Sequence, residues 1–508
     1  MKYRSEIDGL RAIAVLAVIL FHARVELFRG GFVGVDVFFV ISGFLITNLI
    51  AESLDQDKFS LADFYVRRVR RIFPALILVL LFSIPAAYFL MSPTQFYNFS
   101  QSSIAATLFS ANFFFWKESS YFTAIKDEMP LVHTWSLSVE EQFYLLFPLF
   151  LLFVWRWGRS KVFWLFAALS LISLVISEWG WRNSVNANFY MTPNRAWELL
   201  AGSLTALFLR SNTATVDAAQ VGSLQTNTPP TNTLQIRASS LKADNVLSLI
   251  GFLAIIYSVM TFSEFTATPS VATLLPVGGT VLVIFFGLPG TLVNKWLSTR
   301  VLVGLGLISY STYLWHQPLF AFTRLYFTSK PPWSVMALLI VLSLLISWLS
   351  WRWVEKPFRD KQRVSTKCLA VCVSISVSSV LFIGLMGHLR LLTPLHLSQH
   401  NSSHGLVDFA GDNLSSIELE GQPEYLLVGD SHAVQYLPSV RRKAGRASLI
   451  SESACLSLPG LVNSYQGRSA ERTSCKALYQ AYSEYLDKTP SIHTVIICLL
   501  YTSPSPRD

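Results

Sequence analysis

The residues that could do chemistry gather early in the chain. Asp8, Arg11 and His22 fall in one apolar run, with Arg24 and Glu26 just beyond it. Eleven residues separate Arg11 from His22, close to three helical turns, so on a helix both project from nearly the same face and line one pathway. An imidazole changes charge near neutrality, which suits His22 to take or return a proton at cellular pH. A second set follows: Asp36 beside Phe38 and Phe39, the arginines Arg67, Arg68, Arg70 and Arg71, His133 with Glu140 and Glu141, and Arg195 with Glu198. A charge buried at membrane depth costs at least about 2.5 kcal/mol, so such residues pair with one another or do chemistry. Asp36 and Glu198 are expected to neutralise buried cations such as Arg11 and Arg195. His316, in Tyr313-Leu314-Trp315-His316-Gln317-Pro318, reads as a polar packing residue, and the arginine cluster by itself needs no role beyond topology. Polar groups converging from several helices suit a reaction chamber or a transport path.

The elements that must hold these groups are membrane helices. Of 508 residues, 52% are hydrophobic and 14% charged, with a mean hydropathy of +0.44, whereas a soluble domain carries about 25% charged residues. That excludes a soluble single-core enzyme, a disordered chain and a nucleic-acid-binding domain. Apolar blocks run from Ile7 to Leu27, Phe32 to Ile50, Phe73 to Met91, Phe143 to Trp155, Val162 to Ser177 and Ala196 to Leu209. They continue from Val246 to Phe262, Val271 to Leu288, Val301 to Phe322, Pro332 to Trp353 and Cys368 to Leu391. At about 20 residues per crossing these make about eleven spans of a polytopic α-helical protein. Lys and Arg crowd alternate loops, so the net charge of +9 serves mainly as anchorage. The N-terminus faces the cytoplasm, and residues after 391 lie outside. Residues 211–244, rich in Ser, Thr, Asn, Gln and Ala around Pro229-Pro230, are expected to form a flexible cytoplasmic loop. The stretch from Ser102 to Trp116 is expected to be an interfacial or loop helix. No small-residue cleavage site follows the first apolar run, so no removable signal peptide is expected.

Beyond residue 391 the composition turns soluble, and Glu424 to Val428 followed by Gly429 predicts a buried strand entering a turn. In an oxidising compartment Cys455 and Cys475 are candidates for a bridge closing a short loop. Cys368 and Cys372 fall within the last span and read as packing residues. The ending, Ser503-Pro504-Ser505-Pro506-Arg507-Asp508, follows the strand-like run Thr494 to Cys498 without completing a fold, which suggests a truncated domain with a non-native tail.

Several stretches carry a resemblance. They are Ile7-Asp8-Gly9-Leu10-Arg11-Ala12 with His22 at an Arg-x10-His spacing, Gly34-Val35-Asp36-Val37-Phe38-Phe39 continuing to Ile46, and Phe64-Tyr65-Val66-Arg67-Arg68-Val69-Arg70-Arg71-Ile72-Phe73-Pro74. His133-Thr134-Trp135-Ser136 continuing through Glu140-Glu141-Gln142-Phe143, and Trp353-Val354-Glu355-Lys356-Pro357-Phe358-Arg359, complete the set. In this order they resemble the acyltransferase-3 family of bacterial membrane O-acyltransferases over roughly residues 1–360. The resemblance implies ten core helices in the inner membrane that take an acyl group, usually acetyl from cytoplasmic acetyl-CoA, to a carbohydrate outside. It also implies an eleventh, linking helix over 361–391 and a periplasmic domain over 392–508. There Tyr425-Leu426-Leu427-Val428-Gly429-Asp430-Ser431-His432 resembles the first block of SGNH hydrolases, with Ser431 as nucleophile. The closing Asp-x-x-His pair of such domains is not found, and His432 and His493 are not in its position, so this α/β domain is expected to be incomplete.

For acyl transfer to a sugar hydroxyl, His22 would be the base, with Arg11 or a neighbouring carboxylate orienting it. Arg11 or His133 would stabilise the oxyanion formed from the thioester. Arg67, Arg68, Arg70 and Arg71 would hold the CoA phosphates, for which guanidinium is the matched donor. Asp8, Asp36, Glu140, Glu141, Arg195 and Glu198 would support them. The expected partners are acyl-CoA as donor substrate, a polysaccharide acceptor (lipopolysaccharide O-antigen, peptidoglycan or exopolysaccharide) and the lipid bilayer. No nucleic acid, metal or permanently bound cofactor is expected. A transporter or flippase of a lipid-linked or small polar substrate is the alternative, since polar residues also line transport paths.

Overall fold

The computed structural model describes residues 3–118, 124–223, 231–327 and 331–395, and towards the C-terminus 415–418, 423–429, 440, 446–452, 483 and 485–498. The chain folds as two compact units, one of Met1–Tyr88 with Phe96–Thr393, the other of Phe89–Gln95 with Pro394–Asp508. The helices in chain order are α1 (Ser5–His22), α2 (Gly34–Asp55), α3 (Leu61–Leu90), α4 (Pro93–Thr107), α5 (Ala111–Glu118), α6 (Ala124–Asp127), α7 (Thr134–Trp155), α8 (Arg159–Asn183) and α9 (Val185–Tyr190). They continue with α10 (Thr192–Ser223), α11 (Thr231–Thr261), α12 (Leu274–Phe286), α13 (Leu292–Leu297), α14 (Arg300–Tyr326), α15 (Trp333–Ser350), α16 (Lys356–Arg359) and α17 (Thr366–His388).

Each apolar block falls mainly on a helix. Among the described residues seven helical stretches are long and apolar enough to cross a membrane, beginning at Gly31, Leu61, Thr134, Arg159, Leu241, Trp333 and Thr366. The other four blocks, on α1, α10, α12 and α14, are shorter or carry more polar side chains, and α1 and α14 hold His22 and His316, described below. The protein is therefore a mostly helical, multi-pass membrane protein. The described parts of residues 211–244 are not the loop expected from composition: α10 runs on to Ser223 and α11 starts at Thr231. Ala, Gln and Leu there are competent helix formers. The stretch from Ser102 to Trp116 is helical on both sides of a break at Phe109, whose φ is 51°.

Two close helix pairs position the site, α1 on α14 and α2 on α10. A Cβ on Gly306 would lie 1.9 Å from the Asp8 carbonyl oxygen, and one on Gly202 1.9 Å from that of Val40. Only glycine lets these backbones touch, the small-residue packing that joins helices in lipid where the hydrophobic effect gives no drive. Around these contacts Leu10, Ala14, Val37, Phe44, Trp197 and Ile255 form part of one buried cluster. Between α15 and α16 the helix opens into a π-turn over Trp351–Glu355, which inserts a residue and re-aims Glu355 inward.

Among its described residues the second unit contains a four-stranded sheet of β1 (Ser415–Glu418), β2 (Tyr425–Gly429), β3 (Ala447–Glu452) and β4 (Thr494–Cys498), in the order β1-β3-β2-β4. β2 runs parallel to both β3 and β4, and β1 antiparallel to β3. Leu426, Leu427 and Val428 are fully buried, which is why this central strand reads as an unbroken apolar run. The chain leaves β2 for one side of the sheet and reaches β4 on the other, so the carboxyl end of β2 is a topological switch point.

Candidate active site

Among the described residues of the helical unit, two cavities bear on the site. The first, about 80 Å³, is lined by Arg11, Arg68, Arg71, Glu140, Glu141, Ser42, Ser136, Tyr144, Tyr310 and Tyr313 among apolar neighbours such as Phe38 and Phe39. Arg11 is held by Asp8 at 3.2 Å, one turn earlier on α1. Ser42 donates to Glu140 at 2.8 Å. The Arg68 guanidinium stacks on Tyr144 and Phe64 at 5.5 and 5.6 Å from the ring centres, while its buried Nε has no hydrogen-bond partner, nor has the Glu141 Oε1. A buried guanidinium braced on aromatic faces, with a donor unspent, is suited to an incoming anion.

The second cavity, about 430 Å³, is lined by His22, Arg24, Glu26, Arg29, Lys126, Asp127 and Glu264. His22 ends α1: Arg24 turns left-handed at φ 60° and the Val25 N–H returns to the Leu20 carbonyl at 3.0 Å, closing the helix. The His22 carbonyl this frees accepts a hydrogen bond from Arg324. Behind His22 lies His316, fully buried, with Nε2 3.1 Å from His22 Nδ1. His133 packs edge-on against His316 at 5.4 Å between ring centres, and its ring nitrogens have no hydrogen-bond partner. Tyr313 stands between this trio and the first cavity. Its hydroxyl bonds Ser136 Oγ at 2.6 Å and donates to the His133 carbonyl at 2.9 Å. The expected single pathway past Arg11 and His22 is thus divided: Arg11 faces one cavity and His22 the other.

Residues 4–352 match the acyltransferase domain family, acyltransferase 3, and residues 399–503 match the SGNH domain that occurs fused to it. The chain belongs to the acyltransferase 3 family. It is 33% identical over 370 residues to a Staphylococcus aureus (strain MSSA476) relative with a provisional O-acetyltransferase name, covering 71% of this chain and 58% of that protein. It is 31% identical over 377 residues to the peptidoglycan O-acetyltransferase OatA of Listeria monocytogenes, with 70% and 56% covered. The figures for the O-acetyltransferase OatA of Staphylococcus aureus (strain NCTC 8325) are 31% over 366 residues, with 71% and 58% covered. The chain thus spans little more than half the length of the curated relatives it matches. No solved structure matches it.

Within this acyltransferase 3 chain the four clustered arginines part company. Arg68 and Arg71 line the first cavity; Arg67 stays outside its lining. Arg70 is buried, and its guanidinium donates to the carbonyls of Phe358 and Val364 at 3.1 and 2.7 Å and to the Thr366 hydroxyl at 3.2 Å, so it fastens the approach to α17. Asp36 and Glu198 do not neutralise Arg11. Both bind Arg195 Nη1, at 2.8 and 3.0 Å, and Arg195 also lies over Phe189 and Trp135; this fully buried trio ties α2 to α10 and lines neither cavity. Ser431 and His432 lie outside the described residues, as do Cys455 and Cys475; β2 ends at Gly429, two positions before Ser431.

Sequence reasoning passed over most of what α14 supplies. Tyr310 and Tyr313 line the first cavity, His316 joins His22, and Gln317 and Arg324 donate to the carbonyls of Met129 and Asp127, each at 3.1 Å. Glu355, on the π-turn, accepts from Ser311 at 2.8 Å and pairs with Arg359. The available signal was spacing: Ser309, Tyr313, His316 and Gln317 recur at three- and four-residue steps, a polar stripe on an otherwise apolar helix.

Proposed function

We propose that this protein is a membrane O-acyltransferase that carries an acyl group, acetyl foremost, from cytoplasmic acyl-CoA to a hydroxyl of a cell-envelope or exported polysaccharide. The observation that carries this reading is the pairing, within one bundle, of an arginine-lined cavity with a histidine-lined one whose polar groups lie about 16 Å apart along α1. Arg68 and Arg71 hold the donor phosphates at the end where α1 begins, and the extended arm of the donor brings its thioester past Tyr313 towards His22. His22 removes the proton of an acceptor hydroxyl as that oxygen bonds to the carbonyl carbon. The carbon–sulfur bond breaks, and the departing thiolate takes the proton. His133, whose ring N–H is unspent, stabilises the oxyanion between the two steps.

The roomier second cavity, with Arg24, Lys126, Asp127 and Glu264 around His22, suits a hydroxyl-rich acceptor. Peptidoglycan is the leading polymer because one relative is named for it. Ser431 then acts in series, taking the acyl group and passing it to the final sugar; that it follows Gly429, the last residue of β2, by two positions in the sequence supports this role. The N-terminus is cytoplasmic and the second unit external in this reading, so labelling of cysteines placed at Ser223 and Ser415 is expected to report opposite sides.

The test is mass spectrometry of envelope glycans from cells with and without the gene, with acetyl-CoA turnover by the full chain in vesicles. Loss of an acetyl mass from one polymer, with turnover by the purified protein, is expected. Unchanged glycans and no turnover would refute the proposal in favour of transport.

A further inference from the structure

The contact between the two histidines fixes where their protons lie. His316 Nδ1 is 3.3 Å from the carbonyl oxygen of Thr312, one turn back on α14. A carbonyl oxygen only accepts, so Nδ1 carries the proton. Arg324 already sets one positive charge against this pair through its bond to the His22 carbonyl, and a second charge on two buried, touching rings is costly, so both imidazoles are taken as neutral. A neutral imidazole has a single N–H, which leaves His316 Nε2 as an acceptor. The 3.1 Å contact between His316 Nε2 and His22 Nδ1 is therefore a hydrogen bond donated by His22. With its proton on Nδ1, His22 keeps the lone pair on Nε2, the tautomer that a general base requires.

We propose that His316 is the positioning residue of the transfer reaction: it accepts from His22 Nδ1, fixes the His22 tautomer and ring orientation, and takes the place that a carboxylate fills in other acyl-transfer sites. This rests on the reading of His22 as base. The relay is anchored at both ends. Thr312 itself bonds back into α14 through the Ile308 carbonyl at 3.0 Å, and the glycine contact between Gly306 and Asp8 sets α14 against α1. His316 is fully buried and lines neither cavity, so it acts through His22 and not on a substrate. The imidazolium that forms on His22 during transfer also keeps this bond, because His22 remains the donor.

The test uses the full chain in vesicles, with His316→Phe, His316→Gln and His22→Ala compared for acetyl transfer. His316→Phe keeps a ring but no acceptor; it is expected to lower kcat about 100-fold while the KM for acetyl-CoA stays within about twofold. In His316→Gln the side-chain amide donates to Thr312 and its oxygen accepts from His22, so at least about a tenfold recovery in kcat over the Phe variant is expected. Wild-type kcat in the Phe variant, or a folded Gln variant no better than Phe, would overturn the assignment. Nitrogen-15 NMR of labelled histidines gives a reading that does not depend on the variants folding. A His22 resonance with its proton on Nδ1 supports the relay, and a proton on Nε2 sinks it. An active His22→Ala variant would instead remove the base itself, an outcome separate from inert His316 beside essential His22.

Discussion

The two cavities are built from opposite materials. The arginine-lined one is narrow, braced by Tyr144, Tyr310 and Tyr313, and rich in guanidinium groups. The histidine-lined one is about five times larger by volume (430 against 80 Å³), and the rings of His316 and His133 stand behind the His22 on its wall. Grip and proton transfer place different demands on a membrane interior. A guanidinium holds an anion best when it is locked on aromatic faces and never changes state, whereas a base must lose and regain a proton and so must sit where a partner fixes its tautomer. Tyr313, bonded to both Ser136 and the His133 backbone, keeps the two environments apart.

The sharpest way to break this contrast is at His22. His22→Ala is expected to lower acetyl transfer by about 10²–10⁴-fold while leaving membrane insertion and the affinity for acetyl-CoA intact, because it removes the base without adding a charge. Turnover assays with equilibrium binding on the same sample check it, and a parallel loss of binding would show that the cavities are not distinct. Next comes Arg68→Ala, expected to raise the KM for acetyl-CoA about tenfold with kcat little changed, the loss of one charge-assisted contact. Arg70→Ala sharpens the comparison from outside both cavities. Its three part-buried acceptors lose a charged donor, so the thermal midpoint should fall in line with about 1–3 kcal/mol while KM holds. A raised KM there would return Arg70 to the donor site. The smallest effect is expected from Arg24→Ala, since the Arg24 side chain is 51% exposed in its ion pair with Asp127. Such a pair contributes about 0.2–1 kcal/mol, less as salt rises, and kcat should stay within about twofold.

Much of this was legible along the chain. The apolar blocks announced the helices because a span must satisfy its own backbone and cover itself with apolar side chains. Intramembrane charge singled out Arg11, His22, Arg68, Arg195 and Glu198, since such groups are too costly to keep without a partner or a task. Where the reading strayed, the cause was the same: a sequence shows that a charge needs a partner but not which one. Asp36 and Glu198 were offered to Arg11 and Arg195 alike, and both are bound to Arg195. The four arginines, alike in type and adjacent in number, divide by helical rotation into two that face the first cavity, one that holds the approach to α17 and one that does neither.

The sequence by itself determined that this is a polytopic helical protein with an α/β segment after it, that it carries the motifs of acyltransferase 3, and that His22 and the clustered arginines are candidates for its chemistry. These follow from composition, period and residue chemistry, which are properties of neighbours along the chain. Only the tertiary structure decided that His316 is the partner of His22, that Tyr313 divides one pathway into two cavities, and that Arg70 is structural. Those residues lie 294, 177 and 288 positions from the groups they meet. Nothing in local pattern encodes such distances, because they are set by which helices touch, and here that is decided by glycines that let α1 and α14 approach until their backbones meet.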